Sequence, residues 1–591
     1  MKKLAIFAAA FVLTLVLAQC KKEQPNAQNL EGKTVHLTVN VNNNGSRADI
    51  PTPSSGQYDF KDGDKLYVGY NNAKVEGELT YSTTTSSFSG NLTIAQSGSQ
   101  RLHFYYLGGS LTPTVSGSEY TVDISNQTSD YPVISYGTST INYSENVDSY
   151  TTVLLNKCAL VKFTLASGTT DAVAVGGMMT KATIDFANPG VVTPSAAGEI
   201  TLHTGASNTE KWAILLSQGA VANASVAIGN GYLGYTVGVP AIEDNDFAPN
   251  INTIDNSGTA NVVILNRLTN DYTATSGQVL TGTLANNVKI SIDDDATVTL
   301  GGVTINGVNN NDYAWAGLNC EGNATIILKD GTTNIVKGFY QNHPGIHVPD
   351  EDYTLTINGT GSLTASSNGN GAGIGGGLGI SCGNILIEGG VINATGGYGA
   401  SGIGGAKFGQ CGAITISGGT VTAIGGEEAA GIGGATSCGT ITISGGTIEA
   451  TGGGRGAGIG SGADADQICS CGAITISGGT VTANGGLGAS GIGSGLFNGR
   501  CENIFITGGT VTATGGADAA GIGSGFYASC GDITITNGVT QVTATKGEDL
   551  EEVGSDNYYS IGAGFGGSCG TVTIGGVETG FITQSPYTYV P

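Results

Sequence analysis

Cationic residues are scarce in this 591-residue chain: Lys and Arg number 22 against 46 Asp and Glu, for a formal net charge of −24. An acidic, lysine-poor surface argues against nucleic acid or an anionic membrane face as partner. Only 12% of residues are charged at all, and Trp occurs twice. Histidine is confined to His36, His103, His203, His343 and His347. The close pair His343-Pro-Gly-Ile-His347 has no cysteine or nucleophile signature beside it, so an ordinary surface or core role outweighs catalysis. No H-E-x-x-H or phosphate-cradling loop occurs. After the first twenty residues no stretch approaches the 18 apolar residues that a spanning helix requires. Helical periodicity is almost wanting throughout.

The one apolar run, Leu4–Leu17, follows Met1-Lys2-Lys3 and leads into Leu17-Ala18-Gln19-Cys20. A basic start, a short apolar stretch and a small-residue cleavage site read as a secretion signal. The Leu-Ala-Gln-Cys junction resembles a bacterial lipobox. That resemblance implies cleavage before Cys20, diacylation of Cys20, and a surface-exposed protein anchored by lipid in a Gram-negative outer membrane. Residues 1–19 are then the signal and 20–32 a polar, proline-containing tether.

What the chain has in excess is glycine, 100 of 591 residues, against a usual ~7%. Much of it belongs to a repeat, C-G-x-I-T-I-S-G-G-T-V-T-A-x-G-G followed by G-A-G-I-G-S-G, over roughly residues 371–576. The copies are anchored by Cys382, Cys411, Cys438, Cys471, Cys501, Cys530 and Cys569, which by subtraction lie 27 to 39 residues apart. Short β-branched runs alternate within each copy and glycine pairs break them. Three short strands per period of about 30 residues predict a parallel β-helix of about ten coils. Parity puts both isoleucines of I-T-I inside and the threonine outside. Stacked columns follow: Ile385 to Ile533, Ile392 to Val511, and Ile374 to Ile522. The cysteines stack once per coil. They read as a reduced or mostly reduced buried ladder ahead of intercoil disulfides or metal.

Residues 33–250 are not repetitive. Alternating runs such as Val35–Val41, Lys65–Tyr70, Leu102–Tyr106 and Ala159–Leu165 suggest β-sandwiches. Phe60-Lys-Asp-Gly-Asp-Lys-Leu-Tyr-Val-Gly-Tyr70, Cys158-Ala-Leu-Val-Lys-Phe163, Gly198-Glu-Ile-Thr-Leu202 and Trp212-Ala-Ile-Leu-Leu216 are similar to Bacteroidetes fimbrillin-like (Mfa-like) lipoproteins. The resemblance implies two stacked β-sandwiches, residues 33–157 and 158–250, and fimbrial subunits as partners. It also implies proteolytic maturation after an arginine past the first strand, here Arg47-Ala48. An ordinary surface arginine in an Asn/Gly/Ser loop is the competing reading, and the stronger one. The fold expected is all-β, with fimbrillin-like sandwiches followed by a single-stranded parallel β-helix over residues 251–591.

Enzymes that degrade pectin share the β-helix architecture, so catalysis is tested at the level of residues. Hydrolysis needs paired carboxylates flanking the bond, and a lyase needs a base beside clustered carboxylates. The coils offer scattered candidates: Lys407, Arg455, Arg500 and Lys546 fall in different coils, and Asp293–Asp295 and Asp350–Asp352 in turns. Asp464 and Asp466, in a coil insertion, are the candidate calcium ligands. No active site is read. The phrases G-A-G-I-G-G and C-G-x-I-T-I-S-G-G-T-V-T-A resemble carbohydrate-binding β-helix repeats of clostridial and gut-bacterial surface proteins. That resemblance implies binding of acidic polysaccharide with calcium. Tyr398, Phe408, Phe497, Phe526 and Tyr527 are the candidate glycan contacts. The expectation is a non-catalytic adhesin for a polysaccharide or a surface protein. The alternatives are a component of a fimbria-like assembly and, behind it, a pectin-type lyase or hydrolase.

Overall fold

A computed structural model describes residues 32–41, 60–70, 75–94, 99–108, 111–127, 133–142, 149–243, 252–350, 352–464, 467–549 and 557–591. Every regular element among them is a strand apart from two 3-10 turns, Leu265–Arg267 and Asn311–Tyr313. The chain is all-β, and it divides into two compact units.

The first unit comprises residues 1–164, 178–220 and 240–252. Its larger sheet has eight strands, in the order Leu155–Asn156, Ile134–Asn142, Ser99–Leu107, Lys65–Tyr70, Val75–Ser82, Ser87–Thr93, Thr34–Val41 and Ser149–Thr152. All neighbours are antiparallel except the last pair. Alternation along Lys65–Tyr70 sends Leu66 and Val68 to one buried face, while Tyr67 on the other face meets Tyr120, ring centroids 5.7 Å apart. Tyr105 likewise packs edge-on to Phe186 at 5.0 Å. Tyr120 and Phe186 belong to a second layer, in which Glu119–Asp123 pairs with residues 181–185. A third antiparallel pairing registers Cys158 with Leu216 and Leu160 with Ile214.

The second unit comprises residues 165–177, 221–239 and 253–591, and its body is a parallel solenoid. Ten strands, from residues 296–300 to Val572–Ile574, form the I-T-I ladder. A second ladder holds the T-V-T-A strands from residues 303–306 to Gln541–Thr545. A third stacks eleven strands from Tyr272–Ala274 to Ile561–Gly562. The cysteines build a fourth, short ladder of five strands, from Gln410–Cys411 to Ser529–Cys530. The cysteines thus stack once per coil as strand residues.

Isoleucine positions repeat coil after coil in register: Ile414 opposes Ile441, and Ile441 opposes Ile474. All three are fully buried, each worth about 2 kcal/mol of removed apolar surface. The two ends, where a solenoid would expose unpaired strand edges, carry antiparallel strands. Leu233 and Gly234 of a hairpin pair with Val263 and Val262 at the first coil. At the last, Tyr587–Tyr589 pairs with Val542–Ala544.

One glycine column fixes the coil spacing. In the I-G ladder, Gly433 has φ +138°, and a Cβ there would lie 1.9 Å from the Gly460 carbonyl oxygen. Within this run of glycines, a side chain at Gly433 would force the coils apart.

Candidate functional site

Each coil passes from its T-V-T-A strand through a glycine loop, the buried I-G strand and a second glycine loop to its cysteine. Outside the I-G strand the second loop hydrogen-bonds to first-loop backbone of neighbouring repeats: Leu496 N donates to Arg455 O at 3.1 Å, Phe526 N to Gly488 O at 2.8 Å, and Phe565 N to Asp518 O at 2.9 Å. The result is a crest running along the solenoid. Buried serines stitch its base, for Ser461 Oγ accepts from Gly495 N and Ser494 Oγ from Gly525 N, both at 3.1 Å.

All five aromatic candidates lie on this crest. Tyr398 is 62% exposed, Phe408 56%, Tyr527 53% and Phe497 42%, while Phe526 is half-buried. Phe497 and Tyr527 stack nearly parallel across successive coils, with centroids 6.0 Å apart and planes at 19°. Phe526 closes edge-on against both, at 5.4 and 4.6 Å. A fourth ring, Phe565, packs 5.6 Å from Phe526 and 5.9 Å from Tyr527. Sequence reasoning missed Phe565, although it stands four residues after the isoleucine of its I-G strand, as Phe526 does.

The backbone beneath the rings is unusual. Five residues past the I-G isoleucine, Phe408, Phe497 and Tyr527 have φ of 63°, 42° and 48°. At the same place in other coils stand Gly379 and Gly566, with φ of 66° and 65°. The turn demands a left-handed residue, which costs a non-glycine roughly 1–2 kcal/mol. In a chain that uses glycine freely, three such turns carry exposed aromatic rings instead. Backbone strain held at a surface points toward function there.

Between the two groups of rings lies an ion trio. Lys407 Nζ stands 2.6 Å from Glu428 Oε2 and 3.0 Å from Asp464 Oδ2. The hydrogen bond to Glu428 and then the one to Asp464 hold the Lys407 ammonium above its ordinary pKa. The same ammonium lies 5.6 Å from the centroid of the Phe408 ring. Asp464 thus directs a carboxylate oxygen to a lysine. Its companion Asp466 lies outside the described residues, as do Cys20, Arg47 and Ala48. Among the described residues no group of three or more His, Cys, Asp or Glu is arranged to hold a metal.

The remaining candidates disperse. Asp294 Oδ1 accepts from Asn323 N at 2.9 Å, a turn-closing role. His347 Nε2 lies 3.1 Å from the Ser381 carbonyl, and burial lowers the pKa of both His343 and His347. Of the cysteine ladder, Cys530 and Cys569 form a disulfide, while Cys382, Cys411, Cys438, Cys471 and Cys501 are buried thiols. Burial and proximity of carboxylates, with desolvation the larger cause, push the neighbouring Cys469 thiol up to about 12.

Six segments, residues 355–378, 385–407, 414–436, 441–463, 474–496 and 506–526, match the family described as Beta helix repeat. No curated protein matches the chain. Among solved structures, it is similar to a "putative cell adhesion protein" from Bacteroides uniformis ATCC 8492. That likeness has 18% identity and a TM-score of 0.28, and covers 38% of this chain and 95% of the other. It is also similar to a fimbrial assembly protein from Parabacteroides distasonis ATCC 8503, with 9% identity, 38% and 90% coverage and a TM-score of 0.23. A third similarity is to the fimbrial anchor protein Mfa2 from Porphyromonas gingivalis, with 11% identity, 33% and 77% coverage and a TM-score of 0.22.

Proposed function

We propose that this protein is a non-catalytic, lipid-anchored surface adhesin that binds a glycan along the crest of its β-helix. The observation that carries the reading is the set of exposed rings on left-handed backbone, Phe408, Phe497 and Tyr527. Flat apolar rings exposed beside carboxylates and backbone amides suit a sugar, whose ring has an apolar C–H face and a polar edge. A repeating scaffold adds to this, since weak contacts at successive coils gain strength when one long ligand engages several. Glu428 and Asp464 are both engaged by Lys407, which supports a non-catalytic reading. Diacylation of Cys20 would hold the protein at the outer membrane.

A glycan array probed with the full chain, with and without calcium and with a product assay on every hit, tests the reading. Binding without turnover is the expected result. Released unsaturated or reducing-end products would make the protein an enzyme. Silence across neutral and acidic glycans would instead favour a part in a fimbria-like assembly. A calcium requirement would support Asp464 and Asp466 as its ligands.

A further inference from the structure

The cysteine column has a chemistry that glycan binding does not use. Cys382 directly opposes Cys411, Cys411 opposes Cys438, and the register continues through Cys471, Cys501 and Cys530. Ser529 opposes Ser568, which carries the same register to Cys530 and Cys569, joined as a disulfide with Cα atoms 4.6 Å apart. Cys438 and Cys471 bring their sulfurs within 3.3 Å as thiols. Cys469 opposes Gly499 and stands outside the column. An open cleft of about 620 Å³ follows this face, lined by Cys438, Cys471, Cys501 and Cys530 together with Arg500 and Glu502.

Strand stacking places these sulfur-bearing residues in a row, so Cys501 and Cys569 lie on opposite sides of Cys530. Displacement at a disulfide sulfur runs in line, with the attacking thiolate opposite the leaving sulfur. The register gives each interior rung one cysteine neighbour on either side.

We propose that the cysteine column is a relay in which one disulfide migrates coil by coil through intramolecular thiol–disulfide exchange. In the first step Cys501 gives its proton to water in the cleft and its sulfur attacks Cys530 Sγ. The Cys501–Cys530 bond forms as the Cys530–Cys569 bond breaks. The electron pair leaves on Cys569 Sγ, which takes up a proton. One disulfide is lost and one gained, so no oxidant or reductant is consumed. Attack by Cys471 on Cys501 repeats the step, and the series ends at Cys382–Cys411. Hydrogen bonds with Cys438 and Cys501, then burial, hold the Cys471 thiol well above its ordinary pKa, so that rung rests protonated and exchange through it is slow. At the terminal pair the bond clamps the coil that has a neighbour on one side only. At interior rungs it clamps other coils.

The test is disulfide mapping of the full chain. Protein is oxidised with glutathione disulfide to one disulfide per chain, freed of reagent, held at pH 8 without oxidant, quenched in acid at intervals and mapped by non-reducing mass spectrometry. The share at Cys530–Cys569 should fall roughly two-fold or more as Cys501–Cys530 and interior pairs appear, independently of protein concentration. Cys501→Ser should cut the column, leaving the bond on whichever side it began; Cys501→Ala serves the same purpose if serine disturbs folding. A linkage pattern unchanged from first to last sample in the unsubstituted chain would overturn the proposal. So would migration that persists past a blocked rung 501.

Discussion

Replacing Gly433 by alanine probes the account of the coil most sharply. Two costs add. The residue has φ +138°, a region where a side chain costs on the order of 1–3 kcal/mol. The new Cβ would also sit 1.9 Å from the Gly460 oxygen, where ordinary contact begins at 3.4 Å. The coils must therefore part locally by about 1.5 Å, the difference between those distances. The hydrogen bonds Ile432 N to Gly458 O and Gly434 N to Gly460 O, at 3.0 and 3.2 Å, would not survive, at about 1 kcal/mol each. A local destabilisation of about 3–5 kcal/mol follows, a severe value for one methyl group. Hydrogen exchange followed by mass spectrometry reads it rung by rung. Amides of residues 430–434 and 458–462 should exchange at least about a hundred-fold faster. Gly576→Ala is the control: its φ is +82° but nothing lies within 4 Å, so its cost should be only about 1 kcal/mol. If Gly433→Ala proves no worse than Gly576→Ala, the close-packed glycine column is refuted.

Lys407→Met should remove the cation shared by Glu428 and Asp464 and loosen the crest by about 2 kcal/mol, read as faster exchange in residues 425–463. His103 is held neutral by burial and then by Arg101, its pKa lowered to about 4. The unfolded chain takes the proton more readily, so this stabilisation is complete above about pH 6.5 and is lost as pH falls toward 4. Amide protection of Ser99–Leu107 should fall across that window, and His103→Gln should flatten the fall. Cys20→Ser should move the protein from the membrane fraction to the soluble one and abolish labelling by radioactive palmitate.

The solenoid was legible because its period, strand parity and glycine punctuation all recur within single coils, where neighbours in sequence report on one face. Ile414 and Ile416 could be placed inside from the intervening threonine alone. Contacts between coils were not legible in that way. Lys407 meets Glu428 and Asp464 only because loops from successive coils stack, and nothing local to Asp464 distinguishes a lysine partner from calcium. The left-handed turn under Phe408, Phe497 and Tyr527 was hidden because aromatic residues do not announce positive φ. Alignment of the copies on the I-G isoleucine, with Gly379 and Gly566 at the same place, was the available signal. In the first unit, strands such as Lys65–Tyr70 alternate clearly, but pairing of Glu119–Asp123 with residues 181–185 depends on distant chain returning.

The most direct measurement of the adhesin reading is the affinity of the full chain for a glycan found on the array, compared with the Phe497→Gly, Tyr527→Gly double variant. Glycine suits both left-handed turns, so the variant should keep its thermal unfolding profile while losing at least about ten-fold in affinity, on the order of 1–3 kcal/mol per lost stacking ring by analogy with bases. Unchanged affinity in a folded double variant would contradict the claim that the crest rings bind the ligand.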